Sequence, residues 1–185
     1  MKEFPFEMLK AVQALGILHS EEHDTKVAYY RLLKLLYIAD REYLKETGRP
    51  IVGGRDVAMK KGPLSSPVYD LIKGEHQDSS QFAHYFRKQS RLLEMVKDPG
   101  RDELSKREIR KLIEVSTRFL DCDDDELGEI THGFEEYRNH YIENTSTPIP
   151  LESKIEALGI SEHRESILRD FESIKAWKQL VGSAR

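Results

Sequence analysis

Residues 29–44 constrain this chain more than any other stretch. On a 3.6-residue wheel, Tyr29, Tyr30, Leu32, Leu33, Leu35, Leu36, Tyr37, Ala39, Tyr43 and Leu44 fill roughly two-thirds of the circumference, whereas a helix lying on a protein surface needs an apolar stripe of only about 100°. A helix of this kind has to be enclosed by other elements. Asp24 or Thr25 is placed to cap its start, and Gly48 with Pro50 ends it near Thr47 in the expected C-terminal order. Arg31, Lys34, Arg41, Glu42 and Lys45 share the remaining polar arc. Asp40 instead falls inside the apolar arc, between Leu36 and Leu33/Leu44, and a carboxylate there requires a partner.

The flanking sequence supplies the enclosing elements. Phe6, Met8, Leu9, Val12 and Leu15 recur at helical spacing after Pro5 and predict a first helix that fades near His19. Glycines at 48, 53, 54 and 62 with the alternating Asp56-Val57-Ala58-Met59-Lys60 predict a loop and a short strand. Ser66-Pro67 starts a short helix that stops at Gly74. Phe82–Arg87 and Leu92–Val96 form a candidate hairpin joined at Lys88–Arg91. Ser105 and Glu108 form a capping box, with Leu104 and Ile109 as its hydrophobic staple, before a helix whose stripe is Ile109, Leu112, Ile113, Ser116, Phe119 and Leu120. Asp123 to Glu126 place negative charge at the start of another helix. Asn144 to Pro150 reads as a linker, which divides the chain into a body, 1–143, and a C-terminal helical extension, 144–185. In the extension Ile167, Leu168, Phe171, Ile174, Trp177 and Val181 follow helical spacing and predict docking on the body or on a partner.

The fold class expected is therefore mainly α: a compact multi-helix domain around a central buried helix, with a small β-hairpin or short sheet. A charged fraction of 34%, against a typical ~25%, suits helices with much solvated surface. The net charge of −4 gives no global attraction for nucleic acid, which is not expected as a partner. One cysteine, Cys122, allows neither an internal disulfide nor a thiolate zinc cage, and points to a reducing cytoplasm. The acids and proline among residues 3–7 do not resemble an export signal, and no uncharged stretch approaches the ~18 residues of a membrane span.

Several chemical motifs are incomplete. His19-Ser20-Glu21-Glu22-His23 matches the H-x-x-E-H pattern of inverted zinc peptidases, but it sits where the first helix ends and is read as a solvated connection. Asp121, Asp123 and Asp125 have the alternation of a calcium loop, yet Glu126 and His132 stand where it needs glycine and a carboxylate, so a helix-start cluster is preferred. The glycines near 53 and 62 form neither a P-loop nor a dinucleotide fingerprint. No metal or cofactor is expected. Lys60, Lys61, Arg87, Lys88 and Arg91, with Tyr85 and Phe86, would make a basic-aromatic face if the short strands lay side by side; a solvated sheet edge is the simpler reading. Asp40 and His132 are placed to pair across the core as a structural couple.

The run Lys34-Leu35-Leu36-Tyr37-Ile38-Ala39-Asp40-Arg41, then Gly48-Arg49-Pro50-Ile51, then Ala58-Met59-Lys60-Lys61-Gly62-Pro63-Leu64 and Val68-Tyr69, resembles the Panacea domain of SocA-like antitoxins, often found in phage-associated proteins. Ile130-Thr131-His132 is similar to that family's helical Thr-His element, and Phe134 and Tyr137 stand where the family tends to carry a tryptophan. The likeness spans roughly residues 10–140. It implies a non-catalytic antitoxin that neutralises a cognate protein toxin by direct contact and in some relatives delivers it to a protease. The residues it singles out as partner-binding are Lys34, Tyr37, Asp40, Lys60, Gly62, Pro63, Tyr69 and His132. Tyrosine is favoured in binding hot spots, and Tyr29, Tyr30 and Tyr37 are candidates to present a ring outward, although for any one of them completion of the core is the simpler reading. The alternative is a winged-helix DNA-binding regulator, with Ser66–Gly74 as recognition helix and Arg87, Lys88 and Arg91 near the wing. A zinc hydrolase ranks third.

Overall fold

The second helix, α2 (Tyr29–Thr47), runs through the centre of the structure, a computed structural model that describes residues 2–182, apart from the side chains at 178, 179, 181 and 182. Leu32, Leu33, Leu35, Leu36, Tyr37 and Ile38 are all buried. The helix is enclosed by α1 (Met8–Glu21), α5 (Lys106–Arg118) and α6 (Asp124–His132), and by the short strands described below. Its end follows the sequence: Gly48 adopts φ 75° and its N–H donates to the Leu44 carbonyl at 2.8 Å.

The start of α2 differs from expectation. Neither Asp24 nor Thr25 caps it; Lys26–Ala28 is a strand, β1, and Tyr29 N–H donates to the Arg91 carbonyl at 3.1 Å. A distant turn therefore satisfies an amide that a local side chain was expected to satisfy. β1 pairs antiparallel with β5 (Leu92–Met95), which pairs with β4 (Phe86–Gln89). The expected hairpin exists, but Ser79–Phe82 is a short helix, α4, so β4 begins only at Phe86. A second sheet has the order β3-β2-β6, from β2 (Asp56–Met59), β3 (Gly62–Ser65) and β6 (Thr147–Ile149). The segment read as a linker thus supplies an edge strand, where Pro148 is tolerated.

Other local signals are realised with small shifts. Leu9, assigned by spacing to the buried face of α1, is exposed. α3 (Ser66–Lys73) takes Ser65 rather than Ser66 as its N-cap and ends at Gly74, φ 83°. Ser105 and Glu108 form the full capping box of α5, at 3.2 and 2.7 Å, and Asp123 with Glu126 forms a second one at α6. A one-turn helix, α7 (Glu135–Arg138), precedes β6.

The extension forms α8 (Leu151–Ala157), a 3₁₀ turn at Ser161–His163 and α9 (Arg164–Gly182). Leu151, Ile155, Leu158, Ile160, Ile167 and Phe171 cluster with Phe4 and Leu44, so the extension covers the C-terminal end of α2. Trp177 stays exposed, and Val181 lies outside the described side chains. Beneath this layer Lys154 of α8 pairs with Asp56 of β2, both buried. Removing one member of a buried pair strands the other charge at a cost of about 3–5 kcal/mol. Lys154→Met is therefore expected to lower unfolding free energy in urea titrations by about that amount. Combining it with Asp56→Asn should recover most of the loss, and equal, additive losses would show that the pair is not coupled.

Candidate functional site

Each polar residue that α2 carries inward ties down a different segment. Asp40 Oδ1 accepts hydrogen bonds from the backbone N–H groups of Ile51 (2.8 Å) and Val52 (3.1 Å), which holds the glycine-rich loop against the helix. Burial, and then the neighbouring Asp56, push its carboxyl up to about 7, while Lys154 and the two amides oppose the shift. One turn earlier, the Tyr37 hydroxyl donates to Glu136 Oε1 at 3.1 Å, and Arg41 binds the same carboxylate through Nε (2.6 Å) and Nη2 (3.3 Å). Phe134 fills the space between these groups, stacked on Tyr37 and under the Arg41 guanidinium at 4.3 Å. Tyr137 donates its hydroxyl to the Met59 carbonyl at 3.1 Å.

Lys34 and Arg31, which the wheel put on the polar arc, are both buried. Arg31 reaches Glu22 (2.8 Å) and the carbonyls of Cys122 (2.7 Å) and Phe119 (2.8 Å), so its guanidinium satisfies acceptors where α5 ends. Lys34 Nζ donates to the Pro63 carbonyl at 2.9 Å and forms no ion pair among the described residues. Burial, and then the charge of Lys61, bring its ammonium down to about 7.

The motif residues Lys34, Gly62-Pro63 and Thr131-His132 converge here from three elements. Gly62 has φ 100°, and a Cβ on it would lie 2.5 Å from Lys34 Nζ, 2.9 Å from Thr131 Oγ1 and 3.1 Å from His132 Cδ2. Glycine is required both by conformation and by space. His132 stacks on Tyr137, centroids 5.0 Å apart and 8° from parallel, and its Nε2 is buried without a well-formed hydrogen bond. Burial, then Lys34, depress its basicity, opposed by Glu129 and the Lys61 backbone. The expected Asp40–His132 couple is not formed. Asp40 serves the 51–52 amides, and His132 lies at the β3 end of the core, because the two residues face different sides of α2.

The eight residues singled out for partner contact divide by exposure. Lys34, Tyr37, Asp40, Gly62 and Pro63 are buried in the scaffold; Lys60 is exposed in the β2–β3 turn, and Tyr69 and His132 are half-buried. The other motifs go to separate places. His19 Nε2 meets the Leu93 carbonyl at 3.2 Å while Glu22 is held by Arg31, and no cluster of three metal-ligating side chains occurs among the described residues. Asp123 and Glu126 are spent on capping α6. The Cys122 thiol is pushed up by burial and by Glu126, which disfavours its thiolate.

The family model described as antitoxin SocA-like, Panacea domain, matches residues 32–138. The chain belongs to this SocA-like antitoxin family. Comparison with curated proteins and with solved structures gave no match. The Panacea match runs from the second turn of α2 to the end of α7 and includes Lys34, Asp40, Gly62, His132 and Glu136. It leaves out β6 and Lys154, although Lys154 neutralises Asp56 inside the matched part. Arg31, Glu136 and Lys154 carried no warning in the sequence, since each lies on an ordinary polar position of its helix.

No helix among the described residues is long and apolar enough to cross a membrane. For Lys34 the folded protein binds a proton less tightly than the unfolded chain, so its contribution to stability is lowest below about pH 7 and rises toward pH ~10.5. Lys34→Met should accordingly be more stable than the parent at neutral pH and should lose that rise. Urea denaturation of both proteins between about pH 6 and about pH 9 checks this, and parallel stability curves would contradict it.

Proposed function

We propose that this SocA-like antitoxin neutralises a cognate toxin by direct, stoichiometric protein contact in the cytoplasm, without chemistry of its own. The observation that carries this reading is the family match over the body built on α2, within which the motif residues hold the scaffold together. Lys34, Asp40 and Glu136 are each engaged by backbone or side-chain partners, an arrangement suited to fixing a shape. The partner then meets the accessible members of the motif set, Lys60, Tyr69 and the outer edge of His132. Delivery of the captured toxin to a protease would be a further property of the same complex, read as a shortened toxin half-life.

The DNA-binding alternative gains no support from α3. Ser66, Val68, Leu71 and Ile72 face the core, and Lys73 is paired with Glu75 at 2.7 Å. A recognition helix needs several free donors toward base edges and phosphates.

Co-expression with the product of the adjacent small gene tests the proposal. The expected outcome is restored growth of cells expressing that product and co-purification of the two chains at equal stoichiometry. Absence of both growth rescue and co-purification would overturn it.

A further inference from the structure

Four segments that are far apart in sequence bring tyrosines and lysines together on one face. Tyr29 and Tyr30 open α2, with ring centroids 4.6 Å apart, and Tyr69 of α3 lies 6.0 Å from Tyr30. The hydroxyls of Tyr30 and Tyr69 are 3.3 Å apart. Three ammonium groups stand over these rings: Lys61 from the β2–β3 turn at 4.4 Å from Tyr30, Lys73 at 5.1 Å from Tyr69, and Lys88 of β4 at 5.8 Å from Tyr29. Arg91 adjoins them through its carbonyl contact with the Tyr29 amide.

The charge on this face is not balanced locally. Lys61 and Lys88 are exposed and have no ion pair among the described residues, nor does Arg91, in a chain whose net charge is −4. The acids of α3 and its cap are already engaged, Asp70 by Ser66 at 3.3 Å and Glu75 by Lys73. Lys61 also depresses Lys34 behind it, so an arriving anion would relieve two cations at once. Burial and its tyrosine neighbours keep the Tyr30 hydroxyl protonated far above its usual range, which preserves it as a donor. Tyrosine and cation together are the composition of an interaction hot spot.

We propose that the face formed by Tyr30, Tyr69, Lys61 and Lys88 is the docking site for an acidic segment of the toxin. The assignment to the toxin rests on the function proposed above; the chemistry of the segment rests on the face itself. Carboxylates meet Lys61, Lys88 and the tyrosine hydroxyls, and apolar stems lie along the ring edges. A single-stranded nucleic acid fits less well. Base stacking needs free ring faces, and here Lys61, Lys73 and Lys88 cover them. The net negative charge of the chain also opposes an extended polyanion more than a short acidic segment.

The test uses the full chain, a labelled glutamate-rich peptide and a labelled oligodeoxythymidylate as probes in fluorescence anisotropy. The parent should bind the peptide with an affinity that falls as salt rises, and Lys61→Glu with Lys88→Glu should weaken it at least about tenfold. Lys45→Glu with Lys106→Glu, the same charge change at exposed positions elsewhere, should leave peptide binding nearly unchanged. Lys61→Gln with Lys88→Gln gives an intermediate loss and guards against misfolding, which thermal melts monitor. Failure of the parent to bind the peptide, equal binding by parent and Lys61/Lys88 variants, or tighter binding of the oligonucleotide than of the peptide would each overturn the proposal. Co-purification with the adjacent gene product is scored separately on the parent, so loss of the antitoxin reading and loss of the docking face are distinguishable.

Discussion

Enclosure of α2 is the constraint from which the rest of this structure follows. A helix with apolar side chains around most of its circumference gains from burial on every side, and no single neighbour can provide that. Helices before and after it in the chain and the ends of two small sheets are recruited to it. The consequence is that polar residues on α2 lose their route to water. Lys34, Arg31 and Asp40 are buried with the leucines beside them, and each has to find its partners inside.

Those partners distribute the helix's influence over the molecule. Arg31 closes the end of α5, Lys34 holds the Pro63 carbonyl of β3, Tyr37 and Arg41 fix α7 through Glu136, and Asp40 fixes the loop at Ile51 and Val52. Four segments distant in sequence are thereby anchored to α2. The β2–β3 turn carries Lys60 and Lys61, so the contact between Lys34 and Pro63 also determines where those cations stand. The core and the exposed β2–β3 turn are thus linked through one buried lysine. Burial, and then Lys61, bring its ammonium down to about 7, the cost of holding an amine at this position.

The extension takes part in the same scheme. The family-matched portion ends at residue 138, but Asp56 within it depends on Lys154, and the apolar end of α2 at Leu44 depends on Ile155, Ile167 and Phe171. β6 adds a third strand to the sheet that presents the Lys60-Lys61 turn. The protein built around the Panacea domain is thus completed by segments that lie outside it.

Local signals in the sequence determined a great deal here: the central helix and its stop at Gly48, the capping box at Ser105, the acidic helix start at Asp123 to Glu126, the break at Gly74, and the motif set that marks the family. These depend on neighbours a few residues apart, where backbone conformation and side-chain spacing suffice. Periodicity reports which side of a helix is apolar, but not whether its polar side will also be covered, so Arg31 and Lys34 were assigned to solvent. It was equally silent on β1, on β6 within the apparent linker, and on the separation of Asp40 from His132. The meeting of Tyr30, Tyr69, Lys61 and Lys88 was decided only by tertiary structure. Their four segments come together because each is anchored to α2 or its sheets, and contacts between such distant segments leave no pattern in any local stretch of sequence.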